Sequence, residues 1–168
     1  ILIHSNAPNV KTGYGVQCAL LAERLHDAGH EVAVSATYGQ RGSSGRWKPE
    51  HPRHPELWAD GGIRVYQEGW EQQGNDIIHN HAMHFFGGDP LGGWIIPLLD
   101  MWALVNPLFD GFNVAAWAPV DHFPVPPGVL QFFNRTGSVP VAMSLFGEKA
   151  MEQAGLTPYY SPLAVDLK

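Results

Sequence analysis

The chain has little cysteine, little positive charge and no long apolar run. One cysteine, Cys18, stands among its 168 residues, which excludes an internal disulfide and a cysteine-based zinc site and fits a reducing compartment. Ten basic residues face 16 acidic ones, for a net charge of −6, and no basic cluster is longer than a pair. Nucleic-acid binding is therefore not expected. We expect a cytoplasmic protein.

The longest apolar run, residues 94–105, contains Pro97 and Asp100 and is shorter than the roughly 20 residues that a membrane-spanning helix needs. No transmembrane segment is expected, no signal-peptide pattern precedes Ile1, and peripheral contact with a membrane is left open. The hydrophobic content of 45% is enough for the core of one domain.

Short apolar runs alternate along the chain with segments of helical period. The predicted strands are 1–4, 30–36, 62–66, 76–79, 113–118 and 139–143, and the predicted helices are 16–28, 94–105, 127–134 and 146–154. Ser144 is expected to cap the last helix, and residues 37–61, which show no period, are expected to form a loop. The alternation predicts an α/β fold, a Rossmann-like doubly wound parallel sheet with helices on both faces. Ligands of such sheets bind beyond the carboxyl ends of the strands.

Two segments at predicted strand ends carry candidate chemistry. Thr12-Gly13-Tyr14-Gly15 lies between the first strand and the first helix, where backbone N–H groups can approach an anion such as a diphosphate. Asp121 and His122 end a later strand, where a carboxylate and an imidazole can contact a ligand or act in acid–base chemistry. The alternatives are ordinary turn geometry for the glycines and turn capping for Asp121.

Four segments, in order, resemble the N-terminal half of retaining GT-B glycosyltransferases. This group includes sucrose, trehalose, lipopolysaccharide-core and cell-wall mannosyl and glucosyl transferases. The matching segments are the 12–15 loop with its helix and Gly29-His30-Glu31-Val32, then Asp76-Ile77-Ile78-His79-Asn80-His81, then Ala118-Pro119-Val120-Asp121-His122, and finally 141–147 with 154–156 and 160–166. Each motif is short, but together they span nearly the whole chain.

The resemblance implies a domain organisation. Residues 1–168 would be the N-terminal, acceptor-side domain, and the family's C-terminal donor-binding domain, with its paired glutamates, would begin after Lys168 and is absent from this chain. The chain alone is therefore expected to be inactive. Leu163-Ala164 stand where the family often has His-Gly, which puts a donor contact from that turn in doubt.

The resemblance also implies an activity and its residues. It implies hexosyl transfer, with retention, from a nucleotide-diphosphate sugar to an unknown acceptor, without a cofactor. One of Asp121 and His122 would be catalytic by touching the donor sugar, and which one is open. The substrate-binding residues would be Gly13, Tyr14, Gly15, His81, His84 and Ser144. The histidines at 79, 81, 84 and 122 also invite a zinc interpretation, but the family is metal-independent, so no metal site is expected.

Two other functions compete with this interpretation. A lone Rossmann-like domain can be a non-catalytic module that binds a nucleotide or carbohydrate. An NAD-dependent oxidoreductase is disfavoured because the second strand ends Val34-Ser35-Ala36, without the acidic residue that binds a ribose.

Overall fold

The chain forms one eight-stranded sheet, as shown by a computed structural model that describes residues 1–165 apart from the side chain of Asn106. The strand order is β3-β4-β2-β1-β5-β6-β7-β8, and β3 alone among these strands runs antiparallel to its neighbour. The strands are β1 Leu2–Ser5, β2 Ala33–Ala36, β3 Gly45–Trp47, β4 Ile63–Tyr66, β5 Trp94–Pro97, β6 Asn113–Ala118, β7 Val139–Ala142 and β8 Tyr159–Tyr160. The predicted α/β class with a parallel sheet is confirmed, apart from β3.

Helices cover both faces of the sheet. In the described residues they are α1 Gly13–Asp27, α2 Ile78–Phe85, α3 Pro127–Thr136 and α4 Leu145–Gln153, with short 3-10 helices at Pro55–Trp58, Met101–Ala103 and Asn106–Phe109. Ile3 of β1 packs in the same apolar cluster as Cys18 of α1. Leu2 points to the other face and shares a cluster with residues of α2, α3 and α4. Burial on both faces explains why the central strands are apolar throughout.

The sheet reverses its winding between β1 and β5. These two strands are neighbours, but the chain leaves β1 for β2 on one side and β5 for β6 on the other. Loops that leave adjacent parallel strands in opposite directions open a crevice at the carboxyl edge, which is where doubly wound sheets bind ligands. The loops after β1 and β5 border this crevice, and the loop after β6 follows the strand next to β5.

The predicted strand at 76–79 is wrong. Ile77 and Ile78 form a turn closed on the carbonyl of Gly74, and α2 starts at Ile78. The apolar run is only two residues long, whereas Ile78 and Ala82 lie one helical turn apart and are both fully buried against the sheet. The helical period therefore prevails over the β-branched pair.

The predicted helix at 94–105 is also wrong. Its first part is strand β5, in which Ile95 pairs with Leu2 of β1 and with Val114 of β6. Residues 94–99 include no polar position, which is typical of a strand buried on both faces, and Pro97 is tolerated better at the end of a strand than inside a helix. Within the predicted loop at 37–61, the structure adds the antiparallel strand β3, which the sequence pattern does not indicate.

The described residues contain no helix that combines the length and the apolar character needed to cross a bilayer.

Candidate functional site

The loop after β1 is held in place by side-chain hydrogen bonds. The Asn6 amide donates to Thr12 Oγ1 at 2.8 Å and accepts from the Thr37 hydroxyl at 2.9 Å. The backbone N–H of Ala7 also donates to the carbonyl of Tyr38. The loops after β1 and β2 are therefore joined, and the approach to α1 is preorganised.

The N-terminus of α1 leaves two backbone donors free. Thr12 caps the helix, because its Oγ1 accepts from Gly15 N at 3.0 Å and its carbonyl accepts from Val16 N. The N–H groups of Gly13 and Tyr14 have no hydrogen-bond partner in the part of the chain that is described. Gly13 is exposed, so these donors and the partial positive charge of the helix end can act on a ligand.

The two glycines of this loop have different roles. A Cβ at Gly15 would overlap the carbonyl oxygen of Val10, so Gly15 permits close packing of the helix on the loop. A Cβ at Gly13 would meet no atom within 4 Å. Gly15 is therefore a packing residue, and Gly13 is the glycine that a ligand can approach.

This difference gives a matched pair of variants. Gly15→Ala is expected to lower the free energy of unfolding by about 2 kcal/mol, because backbone and not a flexible side chain must move. Gly13→Ala is expected to leave stability unchanged or slightly raised. Urea unfolding curves of the two variants and the unchanged chain would measure this. Equal midpoints for the two variants would show that the overlap at Gly15 is relieved without cost.

Tyr14 brings the loops after β5 and β6 into the same site. Burial raises the pKa of Tyr14 to about 12, and the negative charges of Asp100 and, to a smaller extent, Asp121 act in the same direction. The phenol therefore stays protonated, and the Asp100 carboxylate lies close enough to accept its hydrogen. We call Gly13, Tyr14, Asp100, Asp121 and His122 the switch-point cluster. The sequence does not single out Asp100, because the run that contains it predicts a helix instead of a strand followed by a loop.

Asp121 and His122 form a hydrogen-bonded pair on the surface. His122 Nδ1 and Asp121 Oδ1 are 2.5 Å apart, and both side chains are more than 70% exposed. With Nδ1 engaged by the carboxylate, Nε2 of this exposed ring is the nitrogen left for a ligand. Such an exposed pair contributes little to stability, and both side chains are accessible to a ligand.

Ser144 lies at the carboxyl edge as the N-cap of α4. Its Oγ accepts from Gly147 N at 3.0 Å, which confirms the predicted cap. A Cβ on Gly147 would lie 3.0 Å from the carbonyl oxygen of Val120, so α4 begins directly beside the loop that carries Asp121. Ser144 is exposed, and its hydroxyl hydrogen is available to a ligand.

His81 and His84 lie on α2, over one face of the sheet. A line of contacts runs from the carbonyl of Gln73 to His4 Nε2 at 2.8 Å, from His4 Nδ1 to Ser35 Oγ at 3.1 Å, and from Ser35 Oγ to His81 Nδ1 at 3.0 Å. The Tyr66 ring stacks on His81, and its hydroxyl meets His84 Nδ1 at 2.8 Å. We call these residues the histidine chain: His4, Ser35, Tyr66, His81 and His84.

The directions of these hydrogen bonds determine which ring nitrogen of His81 carries the hydrogen. Burial is the main cause that lowers the pKa of His4 and of His81 to about 4, so both rings are neutral at pH 7. His4 Nε2 faces a carbonyl oxygen and must be the N–H donor, which leaves Nδ1 to accept the Ser35 hydroxyl hydrogen. Ser35 Oγ must then accept from His81 Nδ1. His81 consequently carries its lone pair on Nε2.

The structure therefore separates the predicted site residues into two groups. Gly13, Tyr14, Asp121 and His122 belong to the switch-point cluster, beside Ser144. No hydrogen bond within residues 1–165 joins His81 or His84 to Asp121 or His122. The structural role of His4, a buried partner of Ser35 on the neighbouring strand, has no signal in the sequence.

Two further side-chain findings concern metal and thiol chemistry. Across the described residues, no group of three or more His, Cys, Asp or Glu side chains is placed to hold a metal ion. Cys18 is fully buried in α1, and this burial raises the pKa of its thiol. A buried neutral thiol is unreactive.

Comparison of the chain with protein-family models gives no match, and comparison with curated proteins gives none either. The likeness to the glycosyltransferase family therefore rests on the four sequence segments described above.

Proposed function

We propose that this chain is the acceptor-side half of a retaining GT-B glycosyltransferase that transfers a hexosyl group from a nucleotide-diphosphate sugar. The observation that carries the proposal is the switch-point cluster. It combines the free N–H groups at the start of α1, the protonated Tyr14 phenol and the Asp121–His122 pair at one carboxyl edge. The resemblance supplies the reaction class, and the second domain, the cytoplasmic location and the unknown acceptor belong to the same proposal.

The charges of the cluster indicate which part of the donor it faces. A helix N-terminus is equivalent to about half a positive charge, whereas Asp100 and Asp121 bring two carboxylates close to Tyr14. The carboxylates outweigh the helix end, so this edge repels a diphosphate and attracts positive charge. The anomeric carbon becomes positive as the glycosidic bond breaks. The cluster therefore suits the hexose and the reacting hydroxyl of the acceptor, and in this proposal the second domain binds the diphosphate.

Within this arrangement the residues have separate tasks. The N–H groups of Gly13 and Tyr14 donate hydrogen bonds to sugar oxygens, and the Tyr14 oxygen, whose hydrogen faces Asp100, can accept one from a sugar hydroxyl. Asp121 stabilises the developing charge, and His122 Nε2 binds a sugar hydroxyl. Donors and charges already held in place require little reorganisation during the reaction, which is the source of the rate gain.

The proposal is tested by assaying transfer. The natural gene product that contains this chain is incubated with radiolabelled nucleotide sugars and a panel of acceptor sugars, and labelled products are separated. We expect transfer at about 1 per second or faster from at least one donor. The 168-residue chain by itself is expected to melt cooperatively and to transfer nothing.

A variant at the loop links the activity to the cluster. Gly13→Val is expected to weaken substrate binding while the protein stays folded, because the new side chain fills the open space in front of the free N–H groups. Binding of a nucleotide or sugar by the gene product without any transfer would favour the non-catalytic module. Normal kinetics of Gly13→Val would remove the glycine loop from the site.

A further inference from the structure

A cavity lies at the carboxyl ends of β2 and β4, between the loops that follow these two strands. Its volume is about 590 Å³, within the range of roughly 300–1,000 Å³ found for small-molecule sites. One wall is the loop after β2, with Tyr38, and the other is the loop after β4, with Trp70. The hydrogen bond from Ala7 N to the Tyr38 carbonyl connects this wall with the loop after β1.

The walls of this cavity, which we call the Trp70 cavity, are fixed by two carboxylates. Glu68 accepts hydrogen bonds from the backbone N–H groups of Gly39 and Gln40 and from Arg41 Nε, and so joins the two loops. Asp76 accepts from Trp70 N at 2.7 Å. Because these bonds set the positions of both loops, the cavity is preformed.

The mouth of the cavity is lined by aromatic rings that face water. Trp70 is fully exposed, at 101% of the reference area, and Tyr38 is 50% exposed. Tryptophan is highly buried on average in folded proteins, so a bare indole at the rim of a cavity is uncommon. Aromatic faces offer an apolar plane to a ligand, and a sugar ring presents a matching face of C–H groups.

The charged groups around the cavity argue against an anionic ligand. Arg41 is the one cation among the residues that line it, and it is paired with Glu68 at 2.9 Å. Glu71 adds a carboxylate without a matching cation in the lining. The amides of Gln67 and Gln72 supply both donors and acceptors, which is what hydroxyl groups require.

We propose that the Trp70 cavity binds a neutral carbohydrate ring, stacked on Trp70 and hydrogen-bonded to the side-chain amides of Gln67 and Gln72. Its role as the acceptor subsite rests on the proposed function, because a sugar held there lies next to the loop that begins the switch-point cluster. Sugar binding itself does not depend on that function.

The test measures binding without any donor. The 15N-labelled chain is titrated with maltose, cellobiose and mannobiose, and the tryptophan indole N–H resonances are followed by NMR. We expect one or more of these saccharides to shift the Trp70 resonance in a saturable way. Trp70→Ala is expected to weaken that binding at least about tenfold, as loss of a stacking plane typically does.

Two control variants show whether the saccharide sits in this cavity and whether the cavity prefers it to a cation. Trp102, 63% exposed and outside the cavity, serves as the matched tryptophan, and Trp102→Ala should bind saccharide normally. Glu71→Gln removes one negative charge. This variant should still bind saccharide, whereas a site for a cation would lose its binding.

Three results would each overturn the inference: saccharide affinity unchanged in Trp70→Ala, no saccharide binding, or saturable binding of choline or inorganic phosphate instead. Transfer activity without saccharide binding at Trp70 would refute this site and leave the proposed function standing. Saccharide binding at Trp70 without transfer activity would support this site and refute the proposed function.

Discussion

Alanine at the residue that contacts the reacting sugar, Asp121 or His122, is expected to lower the turnover of sugar transfer by about 100-fold or more. Removing one preorganised group that acts on transition-state charge typically costs on the order of 3 kcal/mol. The effect should appear in turnover more than in substrate affinity, because the charge develops only as the bond breaks. The stability of the protein should hardly change, since both side chains are exposed.

The hydrogen bond between the two residues makes the double variant informative. Because His122 Nδ1 lies 2.5 Å from Asp121 Oδ1, each residue orients the other, and the two losses should not add. We expect the double alanine variant to be little worse than the more damaging single variant.

Steady-state kinetics of the two single variants and the double variant would measure these effects. Asp110→Ala, an exposed carboxylate before β6 and so near the opposite edge of the sheet, is the matched control and should turn over normally. Near-normal turnover of both single variants would remove the pair from the reaction.

The second large effect is a pH dependence of stability that originates in the histidine chain. Burial lowers the pKa of His4 from 6.5 to about 4 in the folded protein. Between these pH values the unfolded chain binds a proton that folded His4 does not bind. The stability contributed by neutral His4 is therefore complete above pH 6.5 and is lost as the pH falls towards 4.

The size of this loss follows from the change in proton affinity. Each tenfold change corresponds to about 1.4 kcal/mol, so His4 alone accounts for about 3 kcal/mol across this pH range. His81, whose pKa is lowered in the same direction, adds a smaller effect because its ring is more exposed to solvent.

Urea unfolding at about pH 7.5, 6.0 and 4.5 would measure the dependence. His4→Gln removes the titrating group, so its stability should fall less steeply with acid than that of the unchanged chain. The difference between the two proteins is the useful quantity, because the titration of carboxylates largely cancels in it. His51→Gln, at an exposed position, is the control and should follow the unchanged chain. Parallel curves for His4→Gln and the unchanged chain would contradict the assignment to His4.

The elements that could be predicted from the sequence carry local signals. α1 and α4 have Thr12 and Ser144 at their starts, and β6 is a continuous apolar run between turns. β5 could not be distinguished from a helix, because a short apolar stretch such as residues 94–99 is compatible with either element. These residues form a strand because Ile95 pairs with Leu2, which is far away in the sequence.

The candidate sites also differ in whether local sequence signals or long-range contacts form them. The glycine loop and Asp121 stand at strand ends that the sequence shows, so the carboxyl edge could be anticipated. The histidine chain depends on the register that places His4 opposite Ser35, which no local pattern encodes. Likewise, the walls of the Trp70 cavity are joined by Glu68, which bonds two loops that are separated in the chain.

The two ends of the sheet bear on how the protein behaves at high concentration. The outermost strands are β3, with three residues, and β8, with two. Exposed strand edges can pair with another chain and begin aggregation, and proteins guard against this by keeping edge strands short and placing charges on them. Arg46 stands in the middle of β3. The sheet therefore offers little template for edge-to-edge growth, although its interior strands are strongly apolar.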